Sequence, residues 1–204
     1  MESATLNVNL FLAFVWFAVL VSTTPGPNCT VALLTSAKYG FRSVLPHMLG
    51  VMVGFASLLL ACAMGAYAVL LSVPYAATVL KWAGIAYLIW MGWILSSSAT
   101  SSQARSDYPT KKPSFIGSAL FQYANPKAWL LATGAIAAYQ PMAKPFALCV
   151  LIMMVICALA CALGICIWGY AGSRMQSWLG YGNREVIFNR FAGASLVVTA
   201  LALI

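Results

Sequence analysis

Short polar loops divide the chain into six apolar stretches of membrane-crossing length, at about 6–37, 43–71, 75–95, 114–139, 145–171 and 188–204. About 20 helical residues cross the hydrocarbon core of a bilayer. Each stretch therefore predicts one transmembrane helix, and the longer ones have length to spare for tilt. Charged residues are only 7% of the 204, against 63% apolar; a soluble domain carries about 25% charged residues. So few charges cannot build a water-facing surface. No alternating pattern of about ten residues recurs, which argues against a transmembrane barrel. The first stretch has no preceding Lys or Arg and no A-x-A cleavage site, so it is expected to remain as a membrane helix. The expected fold is an all-α membrane protein forming one domain over 1–204, with halves 1–95 and 114–204 joined by a Ser-rich polar loop, 96–113.

The net charge of +8 does not point to nucleic acid, because the eleven basic residues are spread singly and no run exceeds Lys111-Lys112. Eight of them fall in three alternate loops: Lys38 and Arg42; Arg105, Lys111 and Lys112; Arg174, Arg184 and Arg190. The other side holds Lys81 and Lys144, and Lys127 lies within a stretch. Cytoplasmic loops carry such an excess, so both termini are expected outside the cytoplasm. The partners this composition implies are the lipid bilayer and no nucleic acid.

The two halves carry matching features. Lys81-Trp82-Ala83-Gly84 parallels Arg190-Phe191-Ala192-Gly193, 109 residues apart; Gly50-x-x-x-Gly54 parallels Ala160-x-x-x-Gly164, 110 apart. Stretches one and four are both interrupted by proline. Three crossings per half turn the second half over, so the pattern predicts six helices as a 3+3 inverted repeat, a common transporter plan. Gly50, Gly54, Gly84, Gly164 and Gly193 are expected to pack helices, since small residues let backbones approach closely in lipid. Contact within one chain is the default; a homodimer contact is the alternative.

The interruptions are the candidate site. In Thr23-Thr24-Pro25-Gly26-Pro27-Asn28 two prolines remove backbone donors, so a regular helix cannot continue. Open backbone in a bilayer is tolerated only against protein or a water-filled cavity. A helix restarting at Pro27 or Asn28 presents free N–H groups and a positive dipole end, which suit a carboxylate. Thr24, Pro25, Gly26, Pro27 and Asn28 are therefore substrate-binding candidates. Asn125-Pro126-Lys127 is the second interruption, with Gln122 just before it. If helical from Ser114, Lys127 lies ~20 Å along the axis, either as a counter-ion in the path or snorkelling to water. His47, the single imidazole, is the proton-coupling candidate; its bland reading is structural.

The six cysteines lie in apolar stretches. They read as small packing residues rather than disulfides or metal ligands, even though Cys157 and Cys161 share a helix face. One His and three acids, none clustered, leave little for an enzyme to use, and neither a cofactor nor a metal is implied. The competing readings are a soft-metal exporter, weakened by the lack of paired ligands, and a membrane assembly subunit, which has no need of open backbone in mid-bilayer.

Taken together, Thr24-Pro25-Gly26-Pro27-Asn28, Gly50/Gly54, Ala83-Gly84-Ile85-Ala86-Tyr87-Leu88 and Asn125-Pro126-Lys127 resemble the LysE/RhtB family of bacterial amino-acid exporters. The resemblance implies a six-helix inner-membrane secondary transporter, driven by protons, with the proline breaks at the substrate path. Many relatives carry an acid after the second glycine of helix two, where this chain has Phe55. That departure points to the members exporting cysteine, O-acetylserine or other small zwitterionic amino acids, because no membrane acid is available to pair a cationic side chain.

Overall fold

The computed structural model describes residues 5–65 and 112–179 continuously, with isolated helical positions between 72 and 93 and between 187 and 201. Gly84, most of the loop 96–113, and most of the third and sixth stretches lie outside the described residues. Gly193 is a buried helical position.

Six α-helices are described: α1 (Val8–Thr23), α2 (Pro27–Tyr39), α3 (Leu45–Ala63), α4 (Phe115–Ala124), α5 (Pro126–Tyr139) and α6 (Phe146–Leu179). They are not six separate crossings. Among the described residues, two helices are long and apolar enough to span alone: Phe41–Ala63, which includes a 3-10 turn, and Phe146–Met175, with mean hydropathies of 2.0 and 3.0. The bent pair α1 and α2, whose axes meet at 53°, adds a third. The chain is thus a multi-pass membrane protein.

Local chemistry sets the helix ends. Asn7 Oδ1 accepts from the Leu10 N–H (3.2 Å), and Ser114 Oγ accepts from the Gly117 N–H (3.0 Å), each satisfying a donor with no intrahelical partner. α2 and α5 both begin at a proline, a residue preset for the first helical position, where its missing N–H costs nothing. α3 stops short of the expected 71, because Gly65 adopts φ +94°, a left-handed conformation that closes a helix. α6 runs past the expected 171 to Leu179, taking in Arg174, which lies over the Tyr170 ring at 5.0 Å. Polar residues there end the apolar run without ending the helix.

Leu12, Trp16 and Leu20 on α1, and Leu151, Val155, Leu159, Leu163 and Ile167 on α6, are exposed at four-residue intervals. These stripes face lipid. The opposite face of α6 is also apolar but smaller and richer in sulfur: Cys149, Met153, Cys157, Ala160 and Cys161 are buried. Apolar residues on every side identify a membrane helix, and the small face marks its protein side.

α3 packs against α4 and α5, α6 packs against α1 and α2, and α3 and α6 meet each other. Glycines set the closest approaches. A Cβ at Gly50 would collide with the Phe115 carbonyl, and one at Gly54 with the Ala119 backbone of α4. A Cβ at Gly164 would strike the Ser22 carbonyl of α1, and one at Gly172 the Leu33 carbonyl of α2. At one end of the bundle, β1 (Thr5–Leu6) pairs antiparallel with β2 (Ala143–Lys144), and the Asn7 N–H donates to the Met142 carbonyl at 2.8 Å. At the other end, the Lys38 and Lys112 ammonium groups both lie over the Tyr39 ring, at 5.2 and 5.5 Å.

Candidate functional site

α1 ends at Thr23 and α2 begins at Pro27. Pro27 has no N–H to offer the Thr23 carbonyl, and the break between α1 and α2 takes the helical donors away from the Ser22 and Thr24 carbonyls as well. Side chains from three helices replace them. The Cys29 thiol points at the Ser22 carbonyl at 3.5 Å. Trp168 Nε1–H of α6 donates to the Thr23 carbonyl at 2.9 Å. Lys127 Nζ of α5 donates to the Thr24 carbonyl at 2.8 Å. Thr23 and Thr24 turn their hydroxyls back onto α1, to the Val19 and Leu20 carbonyls at 2.8 and 2.6 Å, so neither hydroxyl points to a ligand in this conformation.

α4 ends at Ala124, and Asn125 caps α5, its Oδ1 accepting from the Lys127 N–H at 3.1 Å. The side chains of the two turns cross. Asn28 Nδ2 donates to Gln122 Oε1 at 2.9 Å, and Gln122 Nε2 returns a longer bond to Asn28 Oδ1 at 3.3 Å. Gln122 Nε2 also reaches the Ser118 carbonyl at 2.9 Å. Thus Asn28, after the first turn, meets Gln122, before the second; Lys127, after the second, meets Thr24, before the first. Gly26 lies beneath the Lys127 stem, where an added Cβ would sit 3.1 Å from Nζ. Lys127 is half-buried, and its ammonium reaches across to the Thr24 carbonyl of the first turn.

His47, in the first turn of α3, is buried within the protein at 2% exposed. Nε2 lies 3.2 Å from the Asn28 carbonyl, and Nδ1 lies 2.8 Å from Ser118 Oγ. A carbonyl only accepts, so Nε2 carries the hydrogen; in the neutral ring Nδ1 then accepts from the Ser118 hydroxyl. His47, Asn28, Gln122 and Ser118 thereby close a ring of hydrogen bonds across α3, α2 and α4.

These side chains surround a cavity with room of about 40 Å³ for water centres, enough for about three waters. Ser22, Asn28, Gln122, Asn125 and Lys127 are its polar lining; Val51, Phe55, Leu131, Cys161 and Ile165 are among its apolar lining, and Gly26 also borders it. None of its lining residues is an acid. Among the described residues no three His, Cys, Asp or Glu side chains gather as metal donors.

Sequence reasoning missed Trp168, Ser118 and Cys161. Trp168 and Ser118 carry no local signal, because their partners lie 145 and 71 residues away. Cys29 had a signal in standing beside Asn28; Cys161 had none, and its thiol is 3.8 Å from the Ser22 hydroxyl.

Comparison with known proteins places the chain in a family of membrane translocators. The LysE type translocator family matches residues 19–204. The cysteine/O-acetylserine efflux protein of Escherichia coli strain K12 is 27% identical over 196 residues, 96% of this chain and 94% of that protein. Its counterpart in Escherichia coli O1:K1 / APEC is 28% identical over the same extent, and that of Shigella flexneri serotype 5b is 27% identical. No solved structure gives a significant match.

Proposed function

Because the chain belongs to the LysE-type translocator family, we propose that it is a proton-driven secondary exporter of small zwitterionic amino acids in the bacterial inner membrane. The observation that carries this reading is the polar cavity where the two helix interruptions exchange side chains. Lys127 supplies a cation and the surrounding carbonyls and amides supply acceptors, so the cavity offers complements to both ends of a zwitterion.

In the conformation described, Lys127 satisfies the Thr24 carbonyl. A substrate carboxylate draws the ammonium away and adds the N–H groups of Asn28 and Cys29, which precede the first backbone bond of α2, from Thr30 to Gly26. The vacated Thr24 carbonyl then accepts from the substrate ammonium, with Asn28 Oδ1 and Gln122 Oε1 beside it. One lysine–carbonyl bond is exchanged for two charge-assisted ones, which are shorter and stronger. A cationic side chain finds no carboxylate here, so lysine and arginine are excluded. About three waters' worth of room is less than an amino acid requires, so entry parts the Asn28–Gln122 pair.

Proton coupling is assigned to His47. Protonation places a hydrogen on Nδ1, so Ser118 must turn its own hydrogen elsewhere, while Nε2 keeps its bond to the Asn28 carbonyl. The charge thus arises one bond from the substrate amide pair. Alternating access follows from an inverted 3+3 repeat in which α1 with α2, and α4 with α5, are the broken first helices of each half. The reciprocal packing supports it: Gly54 sits against α4 and Gly164 against α1. The basic side, with Lys38, Arg42 and Lys112, is cytoplasmic, and Thr5 and Lys144 face outward with the termini. If two copies pair, they use lipid faces such as those of α1 and α6, since Gly50 and Gly54 are occupied within the chain.

Proteoliposomes loaded with a panel of labelled amino acids, with and without an imposed proton gradient, test the proposal. Gradient-stimulated efflux of small neutral amino acids is expected. Efflux of lysine or arginine alone, or of no amino acid, refutes it. His47→Gln, which retains a donor and an acceptor, is expected to bind substrate but lose the stimulation.

A further inference from the structure

The polar and apolar lining of the cavity are held in mechanically different ways, and the contrast carries an inference that rests on the proposed export function. Its polar side chains are held by bonds that can exchange: Lys127 to Thr24, and Asn28 to Gln122. Two of its apolar lining residues stand beside backbone contacts that cannot. Phe55 follows Gly54, whose α-carbon is pressed onto the Ala119 backbone of α4. Cys161 lies one turn before Gly164, which is pressed onto the Ser22 carbonyl of α1. Phe55 is 2% exposed and Cys161 is 9% exposed, and both line the cavity. The Cys161 thiol also touches the Ser22 hydroxyl at 3.8 Å, across the same α1–α6 contact.

A wall anchored by glycine against backbone cannot retreat to admit a larger ligand, because any shift must open a helix–helix contact. Side-chain volume at 55 and 161 then sets the room available. We propose that Phe55 and Cys161 form the side-chain subsite of the exporter, a size filter that admits a short, unbranched, uncharged side chain. The head group binds the exchangeable polar side chains, and the substrate side chain meets the apolar lining. There Val51, Leu131 and Ile165 offer no hydrogen bond, the thiol is only a weak donor and acceptor, and the Ser22 hydroxyl is uncharged. A cationic side chain finds no acid among the lining residues to offset its lost water. A branched one meets the Phe55 ring. A thiol or short aliphatic group fits.

The discriminating measurement is the ratio of leucine efflux to cysteine efflux from proteoliposomes. A single methylene in an apolar pocket discriminates by about tenfold or more. Phe55→Ala is expected to raise the ratio at least tenfold by opening the filter, and Cys161→Leu to lower cysteine efflux at least tenfold by closing it. Should Phe55→Ala fail to reach the membrane, Phe55→Leu and Cys161→Leu give the same reading. Unchanged ratios in properly inserted variants overturn the filter while leaving the export reading intact. A wild-type protein that moves no amino acid overturns both.

Discussion

Lys127 holds the backbone of the broken helix and is the cation proposed for the substrate carboxylate. Its bond to Thr24 supplies a donor that the break between α1 and α2 leaves missing. A hydrogen bond of this kind contributes about 1 kcal/mol net, or 1.5–3 when one partner is charged. Lys127→Met is therefore expected to lower stability modestly while reducing amino-acid efflux at least tenfold; equal modest losses in both would make it a structural residue only. Asn28 and Gln122 form a pair whose coupling is separable. Gln122→Leu leaves the half-buried Asn28 amide without its partner, at a cost of up to about 1–3 kcal/mol. The Asn28→Ala, Gln122→Ala double-mutant cycle in thermal unfolding should show positive coupling. Additive losses would mean that the pair does not act as a unit. The break residues could be named from sequence because proline and glycine disrupt helices locally. Which of them meet was not legible, because Asn28 and Gln122 are 94 residues apart.

Among the helices, glycine position separates contact from ornament. Gly54 and Gly164 have no room for a Cβ, whereas nothing lies within 4 Å of one built at Gly134. Overpacking a tight site costs about 1–3 kcal/mol or more. Gly54→Val and Gly164→Val are expected to lower the Tm in detergent by several degrees and reduce yield. Gly134→Ala should be neutral, or stabilising by up to about 1 kcal/mol through helix propensity. Equal behaviour of all three would show that the close approaches do not matter. The G-x-x-x-G spacing announced a packing face but not its neighbour, α4 of the opposite half. Residues 66–71 stay apolar and carry no stop signal, yet α3 is closed at its end by the backbone of Gly65. α6 continues to Leu179 because charge ends an apolar run without ending a helix.

The distribution of ends is a property of the whole molecule. The β1–β2 pair brings Thr5 and Lys144 to one end, and Tyr39 brings Lys38 and Lys112 to the other. That grouping agrees with the side-by-side loops read from the basic residues, and orientation follows once either end is located. In intact cells of a cysteine-free variant, a membrane-impermeant thiol reagent should label Lys144→Cys and spare Lys38→Cys; the opposite pattern would invert the assignment.

By itself the sequence determined that this chain lives in a bilayer, that it is helical, and where its helices are hard to continue. Those are consequences of transfer free energy and of backbone donors that proline removes, both readable residue by residue. Only the tertiary structure decided that the two interruptions lie against each other, that Lys127 reaches the Thr24 carbonyl, that His47 is buried beside them, and that Phe55 and Cys161 line one cavity. Such pairings depend on which helices touch. In lipid that choice is made by the fit of small residues to a facing backbone, which a pattern of apolar letters does not encode.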